Sequence, residues 1–578
     1  MKSNTNGSTV KTAKLNPKSL LTAFIAACAI ELILNAISFI GSADYSFSWK
    51  VSLTRIALIL IIFALYRIFR SKSPLWTVLL DMHSSKQRAL VILIVAVMCL
   101  SIASLSQISG QAEWLERGAV YEDGIAATQD GNQYNYLADS FLAGRLWLDL
   151  PVSDVLLSME NPYDTPLRQQ LNSTVQDDIY WDYAFHDGRY YCYFGALPCL
   201  ATFVPYKALT GLDLRTDHVV VLFAWLALVS GVCLLYQLAQ CFFKRIRLLA
   251  FLLSIFLWYA VSGILEQAFL PRIYPIPILS SLFFSCAGFA ILVRARRRFD
   301  SGDTAPKRLL MLGGLSIALT LGCRPQFVIA ALLIVPLFWP QIKERLFFSF
   351  KGLPNTLCII VPFLLVALPV CWYNYARFGS ITDFGASYNL TGADMTSYSF
   401  DPAIIALHII EYLFLPPCVM SAFPFIQAVN QIPSLPVALW TNEPFYGGFF
   451  CFTPAALAVF TLLSKRTREQ MRSHGVLWLA IGMCTVAIII LVVISYVSGV
   501  TMRYFADFSW LIIIPATFTL WAVLDDKDSN SCRGFISLLV LASIPLYCWT
   551  FLGTARFGAL SSSSPWLINA AEAILRFI

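Results

Sequence analysis

Charge is scarce in this sequence. Only 13% of its 578 residues are Asp, Glu, Lys or Arg, about half the share carried by an ordinary soluble domain, and 58% are apolar. That excess of apolar side chains cannot be hidden inside a water-soluble core. Paired cysteines are missing as well. Nearly all of the fifteen cysteines stand singly within apolar runs, and the largest polar loop offers only Cys192, so neither a disulfide frame nor a zinc pattern is present. No internal repeat or low-complexity tract stands out. The net charge of +7 comes from loop lysines and arginines and gives no reason to expect a nucleic-acid partner.

What the sequence has is long apolar runs. A helix of roughly 17 to 25 apolar residues crosses a hydrocarbon layer about 30 Å thick, and hydropathy places about thirteen such spans. They are 20–40, 51–69, 89–107, 218–241, 248–267, 273–293, 309–322, 326–339, 353–373, 445–463, 476–498, 508–524 and 535–551. The expected fold class is an all-α polytopic membrane protein with a large first outer loop carrying membrane-surface helices. The first run follows Lys2, Lys11, Lys14 and Lys18 but is too long for a signal core and carries Glu31 and Asn35, so it reads as a retained span.

Loop charge orients the spans, because Lys and Arg collect on the cytoplasmic side. Arg67, Arg70, Lys86 and Arg88, then Lys244 to Arg247, Arg294 to Arg298, Lys343 to Lys351 and Lys465 to Arg472, all fall on one side of the thirteen-span count. This holds only if the proline-broken runs 193–209 and 403–423 lie along or dip into the outer face without crossing. The chain then divides into a cytoplasmic tail (1–17), N-terminal spans (18–107), an outer loop (108–217), a transmembrane core (218–373), a second outer loop (374–444) and C-terminal spans (445–578), with the C-terminus outside.

Residues 108–192 carry fourteen Asp or Glu against four Arg. Tyr134, Leu137, Ala138 and Phe141 recur at helical spacing, and Asp130 stands just before them, where it reads either as a helix cap or as a catalytic carboxylate. Farther on, Arg189 is a single cation in the aromatic run Trp181 to Gly195. Its planar fork suits a phosphate, and an interfacial arginine snorkelling to lipid headgroups would look the same. Arg324 joins two short apolar runs, Arg377 opens the second outer loop and Arg503 precedes a late span, where it could also pair with Asp507 one turn on. Glu31 and Arg55, within the first two spans, can pair with each other. His408 and Glu411 share a helical face but are too few for a metal site.

The order Asp-x-x-x-Tyr-x-x-x-Ala (Asp130, Tyr134, Ala138) before a helix, then Gly188-Arg189-Tyr190, then Leu209-Thr210-Gly211 and a long span, resembles the first outer loop of the GT-C superfamily of membrane glycosyltransferases. The protein O-mannosyltransferases and lipid A aminoarabinose transferases look most similar. The resemblance implies Asp130 as catalytic base and Arg189 as a ligand of the donor phosphate, with Gln133 standing where relatives often carry Arg. It implies inverting transfer of a sugar from a polyprenyl-phosphate donor to a glycan, lipid or protein acceptor on the outer face of a plasma membrane, bacterial by the same resemblance. Arg324, Arg377 and Arg503 are further candidate phosphate ligands. No metal is needed if arginines hold the phosphate, whereas Glu122, Asp123 and Asp130 together could hold Mg²⁺ or Mn²⁺. The rival class is a transporter or flippase, which would place polar groups on paired, interrupted helices near the bilayer centre.

Overall fold

The computed structural model describes residues 73–108, 121–122, 125–126, 568–569, 572 and 132–553, the last range without 176, 244, 393, 398–399, 421–423, 430–443 and 526–529. The first two spans, with Glu31 and Arg55, lie outside the described residues, as do Asp123 and Asp130.

The architecture is helical, as the composition requires. Seven described helices are long and apolar enough to cross a bilayer. They are α1 (Ser85–Ile108), α4 (Thr216–Phe242), α7 (Pro275–Asp300), α9 (Leu353–Phe378), α11 (Leu477–Ser498), α12 (Phe505–Asp525) and α13 (Asn530–Gly553). The intervening helices used below are α2 (Gln133–Leu142), α3 (Thr165–Val175), α5 (Leu248–Val261), α6 (Ile264–Phe269), α8 (Lys307–Leu319) and α10 (Pro402–Phe414). Almost all of α12 is buried, and α9 is mostly exposed, so α12 is the central rod and α9 belongs to the periphery. The face of α4 packs along α7, α8 lies between α7 and α9, and α11 packs on α12. Every described cysteine is a free thiol.

The other four expected spans in the described region are broken or short. The run 248–267 divides into α5 and α6 at Ser262 and Gly263. Gly263 has φ +83°, and a Cβ there would fall 2.6 Å from the Cβ of Ala506. The break therefore follows from the close approach of α12, which only glycine permits. The run 309–322 is the short helix α8 closed by a 3₁₀ turn, Thr320–Gly322. The run 326–339 becomes a 3₁₀ stretch, Pro325–Leu333, and the run 445–463 a short helix followed by the 3₁₀ stretch Pro454–Leu463. At 13 residues, α10 is about 20 Å long at 1.5 Å per residue. That is less than the hydrocarbon thickness, which agrees with a segment that does not cross.

The two outer loops are sewn together. Three two-stranded ribbons occur among the described residues: β1 (Tyr121–Glu122) with β2 (Ile125–Ala126), β3 (Ala184–His186) with β4 (Arg189–Tyr191), and a third in the second outer loop. The β3–β4 hairpin turns on Asp187-Gly188, both at positive φ, as a tight primed turn demands. Residues 389–391 add to its edge: Asp182 N donates to Leu390 O at 3.0 Å, and Leu390 N donates to Tyr183 O at 3.0 Å. Arg168 on α3 is buried and donates to Thr391 O at 2.7 Å, beside Thr165 Oγ1 donating to the same carbonyl at 2.7 Å. On the side near the membrane, Gly195 packs so tightly that a Cβ would lie 2.2 Å from the Cys323 carbonyl.

The orientation follows from loop charge and is tested by labelling. A cysteine at Ser173 in the exposed part of α3 is expected to react with a membrane-impermeant maleimide in intact cells, above the signal from the unsubstituted protein. One at Thr304, between α7 and α8, reacts only after permeabilisation. The reverse pattern would invert the topology and move the site below to the other compartment.

Candidate functional site

The helix expected to lie on the membrane surface is instead enclosed. Residues Gln133 to Ala138 of α2 are all buried. Tyr134 stacks on Phe203 with ring centroids 5.3 Å apart and donates its hydroxyl to Gly195 O at 3.1 Å. The N-cap position is held by Asn132, whose Oδ1 accepts from Asn135 Nδ2 at 3.1 Å. The cap position thus falls two residues after Asp130, which lies outside the described residues. Gln133 Nε2 donates to Asp182 O at 2.7 Å, which joins the start of α2 to the aromatic run.

Asp182 is the residue on which this region converges. Its backbone is left-handed, φ +65°, and its side chain is buried. The carboxylate accepts from the hydroxyl of Tyr193 at 3.1 Å, from Tyr274 Oη at the start of α7 and from Asn389 Nδ2 in the second loop. Burial pushes its carboxyl above the ordinary range, opposed by the Tyr274 and Asn389 donors, the nearby Arg503 charge and Tyr193. With that many donors the carboxylate serves as an anchor tying together two loops and a span.

Beside it opens a cavity of about 780 Å³. It is lined by Arg324 and Arg503, by the apolar Ile329, Val493 and Val497, and by residues of the second outer loop between Ser380 and Met395. Arg324 gives two hydrogen bonds to Asp507 Oδ2, from Nε at 3.0 Å and from Nη2 at 2.8 Å, and Gln326 Nε2 reaches the same oxygen at 3.1 Å. Asp507 sits fully buried in α12, where an unpaired charge would be costly, and the guanidinium supplies its counter-ion. Nη1 of Arg324 bonds to no described residue. The pair fixes one edge of the fork, and Arg324 also lines the cavity. Arg503 therefore does not take Asp507, as the one-turn spacing suggested. Its guanidinium lies 4.2 Å over the Tyr274 ring and 5.1 Å from that of Tyr504.

The remaining sequence candidates fall elsewhere. Arg189 is exposed on β4, stacked 4.1 Å over Trp147, and Arg377 is buried, donating to Cys192 O at 2.8 Å and Asn374 Oδ1 at 3.0 Å while lying 3.7 Å over Tyr373. Neither lines the cavity. Glu122 falls on β1. Asp123 and Asp130 are outside the described residues, so the acidic trio considered for a metal cannot be placed, and among the described residues no group of three His, Cys, Asp or Glu side chains could hold a metal ion. His408 Nδ1 lies 3.4 Å from Ser495 O inside the bundle. Asp182 and Asp507 were not singled out as site residues. The only sequence sign of either was an ionisable residue in apolar or aromatic surroundings.

No family model and no curated protein matches the chain. Among solved structures it is similar to the crystal structure of the Archaeoglobus fulgidus oligosaccharyltransferase in the apo form, with a TM-score of 0.40 and 13% sequence identity over 79% of this chain and 56% of that one. The chain thus spans a little over half the length of that protein.

The Arg324–Asp507 pair generates a stability prediction. Asp507→Ala leaves a guanidinium largely enclosed without its carboxylate and should cost about 3–5 kcal/mol, the usual penalty for breaking a buried pair. Arg324→Met combined with Asp507→Leu should recover most of that loss, since no orphan charge remains. Thermal unfolding in detergent distinguishes the variants, and a double variant no more stable than Asp507→Ala would show that the pair is not what stabilises this end of α12.

Proposed function

We propose that this protein is a GT-C-type membrane glycosyltransferase that takes a sugar from a polyprenyl-phosphate donor and passes it to a cell-envelope acceptor at the outer face of the membrane. The observation that carries the reading is the cavity, whose lining includes both a guanidinium held by a carboxylate and apolar side chains. A lipid phosphate has both halves of that chemistry. Its phosphate suits the free edge of Arg324 and the charge of Arg503, and its prenyl chain suits Ile329, Val493 and Val497. Cations set in advance around a departing phosphate stabilise the charge that develops as the glycosidic bond breaks.

The acceptor hydroxyl needs a base. Asp130 has that role in the resemblance, and Gln133, three residues on in sequence, is bonded to the carbonyl of Asp182 at the cavity's edge. In this reading Asp130 accepts the hydroxyl proton as the acceptor attacks the anomeric carbon from the face opposite the phosphate, in one inverting displacement. A transporter reading would draw on the interrupted pair α5–α6. The buried Glu266 of α6, however, is bonded to Tyr547 Oη at 2.8 Å and does not line the cavity.

Two measurements test the proposal. Arg503→Ala should weaken binding of polyprenyl phosphate to the purified protein by about 1.5–3 kcal/mol, the worth of a hydrogen bond to a charged group. Arg189→Ala, on the surface over Trp147, should change it by no more than about threefold, less than such a bond is worth. Equal losses in both would dissociate the cavity from donor binding. Asp130→Asn should preserve expression and thermal stability while turnover falls by roughly a hundred- to ten-thousandfold. A fully active Asp130→Asn enzyme would place the base elsewhere.

A further inference from the structure

Ahead of α9 the chain makes a turn, residues 344–352, at the end of that helix far from Arg377 and the second outer loop. Loop charge assigns this end to the cytoplasm. Phe347 is buried in the turn, its ring centroid 5.2 Å from that of Phe338 and 5.7 Å from that of Phe299. Its neighbours are left out: Phe348 is 68% exposed, and Phe350, at 101%, is the most exposed large apolar side chain among the described residues. The turn is not slack. Phe348 N donates to Thr356 Oγ1, Gly352 N to Ser349 Oγ and Asn355 Nδ2 to Leu346 O, each at 3.0 Å. Arg345 and Phe348 have φ +58° and +52°, left-handed backbone that is uncommon outside glycine and costly for a bulky residue. A hydrogen-bonded turn that carries strain while holding phenylalanines outward is suited to contact with something apolar.

Two observations say what that is. The exposed apolar surface continues onto α9 through Leu353, Leu357, Ile360 and Val361, and α9 is long enough to cross a bilayer, so the phenylalanines stand at one end of its lipid-facing side. The exposed charges of the turn and the residue before it are Lys343, Arg345 and Lys351 against the single acid Glu344. Cations therefore outnumber acids beside the phenylalanines.

We propose that this turn is a membrane-inserting finger that sets Phe348 and Phe350 at the headgroup–acyl boundary of the cytoplasmic leaflet and binds anionic phospholipid headgroups through Lys343, Arg345 and Lys351. Phenylalanine placed at that depth leaves water, while Lys and Arg beside it extend their aliphatic stems along the apolar layer and keep their charges among the headgroups. An anionic leaflet adds an attraction for those cations that a zwitterionic one lacks. The surface is separate from the cavity and does not depend on the transferase reading.

The test attaches a nitroxide to Phe350→Cys and, separately, to Thr304→Cys in the polar turn between α7 and α8, each in the full-length protein, with the signal of the identically treated unsubstituted protein subtracted. In nanodiscs containing about 30% phosphatidylglycerol, a strongly anionic surface, the ratio of oxygen collisions to collisions with a neutral, water-soluble nickel chelate should be severalfold higher at 350 than at 304. A ratio at 350 no higher than at 304 puts the finger in water and overturns the proposal. In nanodiscs of phosphatidylcholine alone the ratio at 350 should fall. It should fall as far in the anionic nanodiscs when Lys343, Arg345 and Lys351 are all replaced by Gln. Equal ratios in the two lipid compositions overturn the assignment to anionic headgroups. A high ratio at 350 in native membranes that is lost in both kinds of nanodisc gives the surface to a protein partner, and that too overturns the proposal.

Discussion

The carboxylate of Asp182 draws in a tyrosine from the outer end of α7, an asparagine from the second outer loop and a tyrosine from its own loop. Buried groups of this kind are stable only when their hydrogen bonds are complete, so the burial of Asp182 obliges three separate segments to meet at one point. The cavity lies beside that point. Without it the second loop would lose a principal tether to the first, and Leu390 and Thr391 would have less reason to pair with the edge of the β3–β4 hairpin.

A second constraint acts from within the membrane domain. Asp507 sits in the most enclosed helix and takes its counter-ion from Arg324, 183 residues away in sequence. That ion pair fixes the joint between α8 and the following 3₁₀ stretch against α12, and Arg324 lines the cavity from there. Arg377 is the contrasting case: among the described residues its hydrogen bonds run to the carbonyls of Tyr373 and Cys192 and to Asn374, so it locks the end of α9 without facing the cavity.

The cavity's lining residues come from segments that meet different surroundings. Arg324 and Arg503 come from span ends, where a cation can be held by a buried acid. The lining residues of the second outer loop, between Ser380 and Met395, include no Lys or Arg and draw their polarity mainly from hydroxyls, an amide and a carboxylate.

The class of the protein was legible from composition alone, because the periodicity and length of apolar runs answer directly to the thickness of a bilayer. Each of the eleven expected spans in the described region corresponds to helical structure, and Arg324 and Arg503 could be singled out because cations at the ends of apolar runs are conspicuous. The sequence by itself could not decide whether a run would be a continuous helix. The break at Gly263 depends on Ala506 being pressed against it, a contact between residues far apart in the chain. Nor could it decide which acid an arginine would take: the one-turn spacing favoured Arg503 for Asp507, and packing brought Arg324 there instead. The Asp187-Gly188 turn was a local signal for a hairpin, but nothing local marked Asp182, since an aspartate amid aromatics looks the same whether it faces water or is closed over by three donors. Local periodicity records what one segment needs from its solvent, and only the tertiary structure decides which distant segments satisfy its buried charges.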